Sequence, residues 1–101
     1  MTVRFVQEAR QEFLDAILYY EDAEPGLGRR FRVELENTIR HLRDHPEIYR
    51  IRSAAQRRIN LKTFPYYLPF IIREETVWVL AVAHESRHPR YWILRRPPIL
   101  P

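Results

Sequence analysis

The chain contains no cysteine. Disulfide staples and thiolate metal sites are therefore excluded, and a reducing, cytoplasmic setting is the expectation. Glycine is almost as scarce, with only Gly26 and Gly28 among 101 residues. A glycine-rich loop cradling phosphate is ruled out, because such a loop needs several glycines close together. Long apolar runs are missing too. Neither a leader nor a membrane-spanning segment can be placed behind Met1-Thr2-Val3-Arg4.

What is present suits a globular fold. Hydrophobic residues make up 46% and charged residues 30%, proportions that let a small domain bury a core. One domain over residues 1–96 is expected, followed by a Pro-rich tail at 97–101. The charge is unevenly placed. Residues 1–49 hold seven Lys or Arg against ten Asp or Glu, while residues 50–101 hold ten against three. The halves thus carry −3 and +7, which sum to the net +4. A strongly basic second half points to an anionic partner, either nucleic acid or an acidic protein.

Periodicity divides the chain in two. Thr2 to Val6 alternates like a short strand. From about Gln7, Ala9, Phe13, Ile17 and Tyr20 recur at helical spacing, with Leu14 and Leu18 widening the apolar stripe. Glu24-Pro25-Gly26 breaks this helix. A second helix follows from Leu27 to Asp44, with Leu27, Phe31, Leu35, Thr38, Ile39 and Leu42 on its apolar side. Glu36 and Arg40 stand at the spacing of a helical ion pair, and Pro46 ends the helix. The short break predicts an antiparallel helical hairpin.

Beyond it the period becomes two. Arg57 to Phe64, Tyr66 to Arg73 and Thr76 to His84 read as strands, with Glu74-Glu75 as a turn. Pro69 cannot donate to a ladder, so it implies an edge, a bulge or a local break. Strict alternation through the last strand puts Trp78, Leu80, Val82 and His84 on one face and Val77, Val79, Ala81 and Ala83 on the other. A strand apolar on both faces belongs in the interior of a sheet. The predicted fold is α+β, ordered β-α-α-β-β-β, with the hairpin packed on a mostly antiparallel four-stranded sheet.

The side chains capable of chemistry gather where the last strand ends. Metal-independent RNA cleavage needs a base, an acid and a cation beside the phosphate. His84 is a candidate for proton transfer and Arg87 and Arg58 for the phosphate clamp, with Tyr91, which could stack a base as Trp92 could, completing the candidate catalytic set. Arg57, Lys62, Arg90, Trp92 and Arg95 are candidates for contacts to nucleic acid or another target. Each has a structural alternative: His84 as a hydrogen-bonded rim residue, Trp92 as part of the core, Arg57 and Arg58 as edge charges. His41 and His45 share a helix face, but proximity to the helix C-terminus explains them without metal. His84 and His88 flank a strand end and a proline, a poor setting for a ligand pair. No metal and no cofactor is expected.

In their order and spacing these pieces resemble the RelE/ParE superfamily of toxins, often called plasmid-stabilisation proteins. The resemblance runs through Ala9 to Ala16, Tyr19-Tyr20-Glu21, Pro25 to Phe31, His45-Pro46, Arg57-Arg58, Phe64-Pro65-Tyr66, Val79 to His84, and Arg87, Pro89, Tyr91-Trp92 and Arg95. It implies the toxin of a type II toxin–antitoxin system, held inactive by a cognate antitoxin; the apolar hairpin and basic sheet then predict that the antitoxin's toxin-binding segment is acidic. Contact with operator DNA would then be indirect, through the antitoxin. RelE-like members cleave mRNA on the ribosome, and ParE-like members inhibit DNA gyrase without a nuclease site. Ribonuclease members tend to carry a basic residue on the middle strand, where this chain has Phe64-Pro65-Tyr66-Tyr67. Both targets stay open on sequence alone.

Overall fold

The computed structural model describes residues 1–98, so the expected tail falls outside it from Ile99 onward. Among the described residues, two helices, α1 (Gln7–Ala23) and α2 (Leu27–Asp44), pack as a hairpin on a five-stranded mixed sheet. The strands are β1 (Thr2–Phe5), β2 (Arg57–Asn60), β3 (Tyr66–Arg73), β4 (Thr76–Val79) and β5 (Ala83–His84). Their order is β1-β4-β3-β2, with β5 continuing beside β3. The predicted element order is present. Two details differ: β1 joins β4 in parallel, and the strand expected over residues 76–84 is divided in two.

The division is a β-bulge. Val79 stands opposite Phe70 and Ala83 opposite Tyr67, so three residues, 80–82, face the two residues 68–69. Pro69 is responsible for half of this. It is fully buried in an interior strand, and it accepts a bond from the Leu80 N–H at 2.8 Å. It has no N–H to return to the Leu80 carbonyl, so the ladder is one-sided at this point.

The bulge changes which side chains share a face. Val3 and Phe5 of β1 lie beside Val77 and Val79, and Phe5 stacks on Phe13 of α1 with ring centroids 6.0 Å apart. These residues define the helix face. Arg4 and Trp78, paired in register, define the opposite face. Leu80 and Val82 then join the core beneath the helices, and His84 follows them. Trp78, expected beside Leu80 and His84, lies across the sheet from them.

The helix face is filled by Phe31, Leu35 and Leu42 of α2 with Leu68, Phe70, Val77 and Val79 of the sheet. Tyr20, Phe31, Phe64 and Tyr66 meet at centroid distances of 4.9–6.1 Å. Leu14 and Leu18 stay out of this core and are 50% and 63% exposed, so the stripe of α1 is narrower than predicted. Glu36 pairs with Arg32 at 3.3 Å instead of Arg40, whose guanidinium bonds Asn37.

Both glycines serve the hairpin turn. Gly26 has φ of +89°, a left-handed conformation. Gly28 lies against α1, where a Cβ would stand 2.5 Å from the Ile17 carbonyl oxygen. The Glu21 carboxylate accepts from the Gly26 and Gly28 N–H groups at 2.9 and 3.1 Å, satisfying donors at the start of α2. Gly28→Ala should therefore destabilise the fold by about 1–3 kcal/mol in urea unfolding, although alanine is the better helix former. At the other turn, Glu74 and Glu75 have φ of +51° and +61°, left-handed values imposed by the tight β3–β4 hairpin. Replacing them with Asn-Gly should stabilise the protein by about 1 kcal/mol in the same measurement.

Candidate functional site

The broken ladder leaves two polar groups to satisfy, and one ion pair serves both. The Arg95 Nη1 donates to the Leu80 carbonyl at 3.0 Å, where the missing Pro69 N–H would have pointed. The same guanidinium forms a two-pronged bond to Glu12 of α1, at 2.9 Å on each prong. Glu12 Oε1 also accepts the Val82 N–H at 3.1 Å. The segment after β5 is thereby folded around the sheet edge and tied to α1. Farther along it, the buried Gln56 donates to the Ile93 carbonyl at 3.0 Å.

This wrapping builds a cleft of about 360 Å³ between α1 and the segment, lined by Asp15, Tyr19, Tyr66, His84, Arg87 and Tyr91 among others. Tyr66 and His84 face each other across the β3–β5 pair, rings 5.0 Å apart. The Arg87 guanidinium lies 3.7 Å from the centre of the Tyr91 ring. His84, Arg87 and Tyr91 are thus brought together as the sequence suggested.

Arg58 is not with them. Its guanidinium lies 3.8 Å over the Tyr67 ring. Tyr67 and Tyr66 are successive strand residues and project from opposite faces. Tyr66 meets Tyr20 and Phe31 of the helices, so Arg58 and Tyr67 belong to the face away from them. The sheet therefore separates Arg58 from His84. Trp92 is buried on that far side, with its Nε1–H donating to the Tyr67 hydroxyl at 3.0 Å, so its ring is closed to a stacking base. Arg95 is held by Glu12, and Arg57 donates to the Pro46 carbonyl at 3.2 Å. Arg90 and Lys62 are exposed, Lys62 on the turn after β2.

Hydrogen bonding decides what His84 can do. Its Nδ1 accepts the Ser86 N–H at 3.0 Å, and the Ser86 hydroxyl lies 2.7 Å from the same atom. An acceptor Nδ1 carries no proton, so the neutral ring holds its proton on Nε2. The lone pair that a general base needs is engaged within the loop. Tyr91 is no easier to ionise. Burial, reinforced by the nearby Glu12 charge, raises its hydroxyl pKa above the ordinary value despite Arg87. Tyr66 is pushed up to about 12, first by burial and then by Tyr20. Both stay protonated at neutral pH. Asp15 adds a carboxylate to the cleft wall, which opposes a phosphate.

Sequence reasoning overlooked Glu12. The available signal was a glutamate on α1 placed three residues after Ala9 and four before Ala16, the two buried alanines of that helix. A carboxylate between two such positions must reach into the protein edge and find a donor there.

The architecture is a helical hairpin on a mixed sheet with a charged, aromatic rim. Residues 3–89 match the family described as "ParE toxin of type II toxin-antitoxin system, parDE". The chain belongs to the ParE toxin family. Among solved structures, the chromosomal ParDE TA system from P. aeruginosa superposes with a TM-score of 0.75 at 14% identity, over 83% of this chain and 95% of that one. The isolated E. coli RelE toxin superposes with a TM-score of 0.64 at 20% identity, over 89% of each chain. Identities this low speak for the fold alone. A comparison with curated proteins finds no match.

If the Glu12–Arg95 pair closes the bulge, Glu12→Ala and Arg95→Ala should each destabilise the protein by about 2–3 kcal/mol. The double variant should lose far less than the sum of the two. Strict additivity in urea unfolding would show that the two groups act independently.

Proposed function

We propose that this type II toxin arrests growth by binding a protein target, DNA gyrase, until its antitoxin covers it, and that it does so without cutting RNA. One observation carries the choice: Arg58 and His84 lie on opposite faces of the sheet. A phosphate clamp and a proton-transfer group must meet at one scissile bond, within hydrogen-bond reach of its atoms. The engaged Nδ1 of His84 and the reluctant Tyr91 hydroxyl support the same reading. So does the absence of a basic residue from Phe64-Pro65-Tyr66-Tyr67.

The exposed arginines have a different use here. Tyrosine and arginine are the side chains most enriched where protein interfaces concentrate their binding energy. Arg87, stacked on Tyr91 at the cleft mouth, is the leading candidate for such a contact. Arg90 and the half-buried Arg58 are further candidates.

Purified toxin should inhibit supercoiling by purified gyrase. Arg87→Glu should weaken inhibition about tenfold or more, which corresponds to a loss of about 1.4 kcal/mol. His84→Ala should change it by less than about twofold. Full supercoiling at excess toxin would refute the proposal. Ribosome-dependent cleavage remains the second reading, because one cleft does gather His84, Arg87 and Tyr91. New mRNA ends on translating ribosomes, lost in His84→Ala, would establish that reading instead.

A further inference from the structure

The cleft that holds His84 contains two charges that the chain itself leaves unmatched. Asp15 stands on its α1 wall, and Arg87 on the wall made by the segment after β5. Both residues are exposed. Among the described residues no ion pair takes up either of them. Asp15 accepts one bond, from the Gln11 amide at 2.8 Å, and the Arg87 guanidinium meets the Tyr91 ring. The other charges nearby cancel, because Glu12 and Arg95 hold each other at 2.9 Å. One anion and one cation therefore line the same space of about 360 Å³ without meeting.

The rest of the lining is largely apolar and aromatic. The buried Ala16 and Val82 contribute aliphatic surface, and Tyr19, Tyr66 and Tyr91 contribute three rings. Tyr19 is 67% exposed, so its ring serves as a wall of the cleft and not as part of the core. Burial raises the hydroxyl pKa of Tyr66 and of Tyr91, which keeps both phenols neutral. A neutral phenol attracts a cation at its ring face, and its hydroxyl both donates and accepts. The volume lies at the low end of the roughly 300–1,000 Å³ that small-molecule sites occupy.

The two charges select the ligand. A phosphate or nucleotide brings its negative charge against Asp15, and a polyamine brings its positive charges against Arg87. A molecule with one charge of each sign, close together, satisfies both walls through charge-assisted bonds and adds no net charge. The α-carboxylate and α-ammonium of a free amino acid are such a pair. An internal peptide segment has neither, since both groups are consumed in its amide bonds.

We infer that this cleft binds a free aromatic α-amino acid, with its carboxylate on Arg87, its ammonium on Asp15 and its ring against Tyr19 and Tyr66. The binding stands on the cleft alone. Its consequence rests on the gyrase reading: with Arg87 engaged, the bound amino acid competes with the target for the rim.

The probe is L-phenylalanine, titrated into the whole chain and followed by amide chemical shifts. Shifts should concentrate on residues 15–19 and 84–91, and saturate at roughly millimolar concentration, as suits a small ligand in an open cleft. N-acetyl-phenylalanine lacks the ammonium, and phenylalanine amide lacks the carboxylate. Each should bind about tenfold more weakly, the loss expected from one charge-assisted bond. Asp15→Asn should weaken phenylalanine by a similar factor and leave the N-acetyl compound unaffected, while Arg87→Gln should weaken phenylalanine and leave the amide unaffected. Alanine, with both charges and no ring, should bind more weakly than phenylalanine. No shifts up to the solubility limit, shifts centred elsewhere, or equal binding of these compounds would overturn the inference. Phenylalanine should also relieve the inhibition of gyrase, and binding that left inhibition unchanged would refute the competition. A chain that binds phenylalanine but never inhibits gyrase would refute the target and leave the ligand site standing.

Discussion

The Glu12 carboxylate ties three parts of the chain to one another. It accepts the Val82 N–H from the bulge and both prongs of the Arg95 guanidinium from the C-terminal segment, and it does so from α1. The demand originates at Pro69, which leaves the Leu80 carbonyl without a ladder donor. A buried carbonyl in that state is costly, and Arg95 removes the cost by donating to it. Arg95 is then an incompletely solvated cation and needs an anion, which Glu12 supplies. Each member is thus satisfied only when the others are in place.

The rim follows from that arrangement. Because the segment after β5 is pulled toward α1, it crosses the sheet edge and leaves Arg87 and Tyr91 on the helix side beside His84. Trp92 and Ile93 continue to the far side, where Tyr67 and Gln56 receive them. The bulge also fixes the face on which His84 emerges, since one extra residue reverses the alternation after Val79. A strand without the bulge would have sent His84 to the same side as Arg58. The separation of His84 from Arg58 therefore follows from the bulge, to which Pro69 contributes.

Much of the fold was legible because it depends on local pattern. The helical stripe of Phe31, Leu35 and Leu42 and the break at Pro25-Gly26 are readable at short range. So are the doubly apolar β4 and the turn at Glu74-Glu75. Pro69 announced a disturbance, although not its form. What stayed hidden depends on distant partners. The parallel pairing of β1 with β4 joins Phe5 to Val79. The contact between Glu12 and Arg95 spans 83 residues. Arg95 was read as a target contact because a lone arginine in a basic segment looks the same whether it faces solvent or a glutamate from the first helix. Alternation carried through residues 80–82 placed Trp78 beside His84, since nothing local marks where a register slips by one.

The cation–aromatic pairs bear on what such a surface recognises. Arg58 covers the Tyr67 ring, Arg87 the Tyr91 ring, and Arg4 lies 5.6 Å from the centre of Trp78. A protein that grips single-stranded RNA keeps its aromatic faces open, because the bases stack on them. Here guanidinium planes already lie over the tyrosines. The stacking does not remove the charge. It restricts the arginine rotamers and leaves a positive charge that a carboxylate can meet. Little side-chain entropy then remains to be lost on contact, a gain for protein association, where ordering long side chains opposes binding. An acidic protein surface meets that charge, whereas a base seeking a ring face finds the position taken.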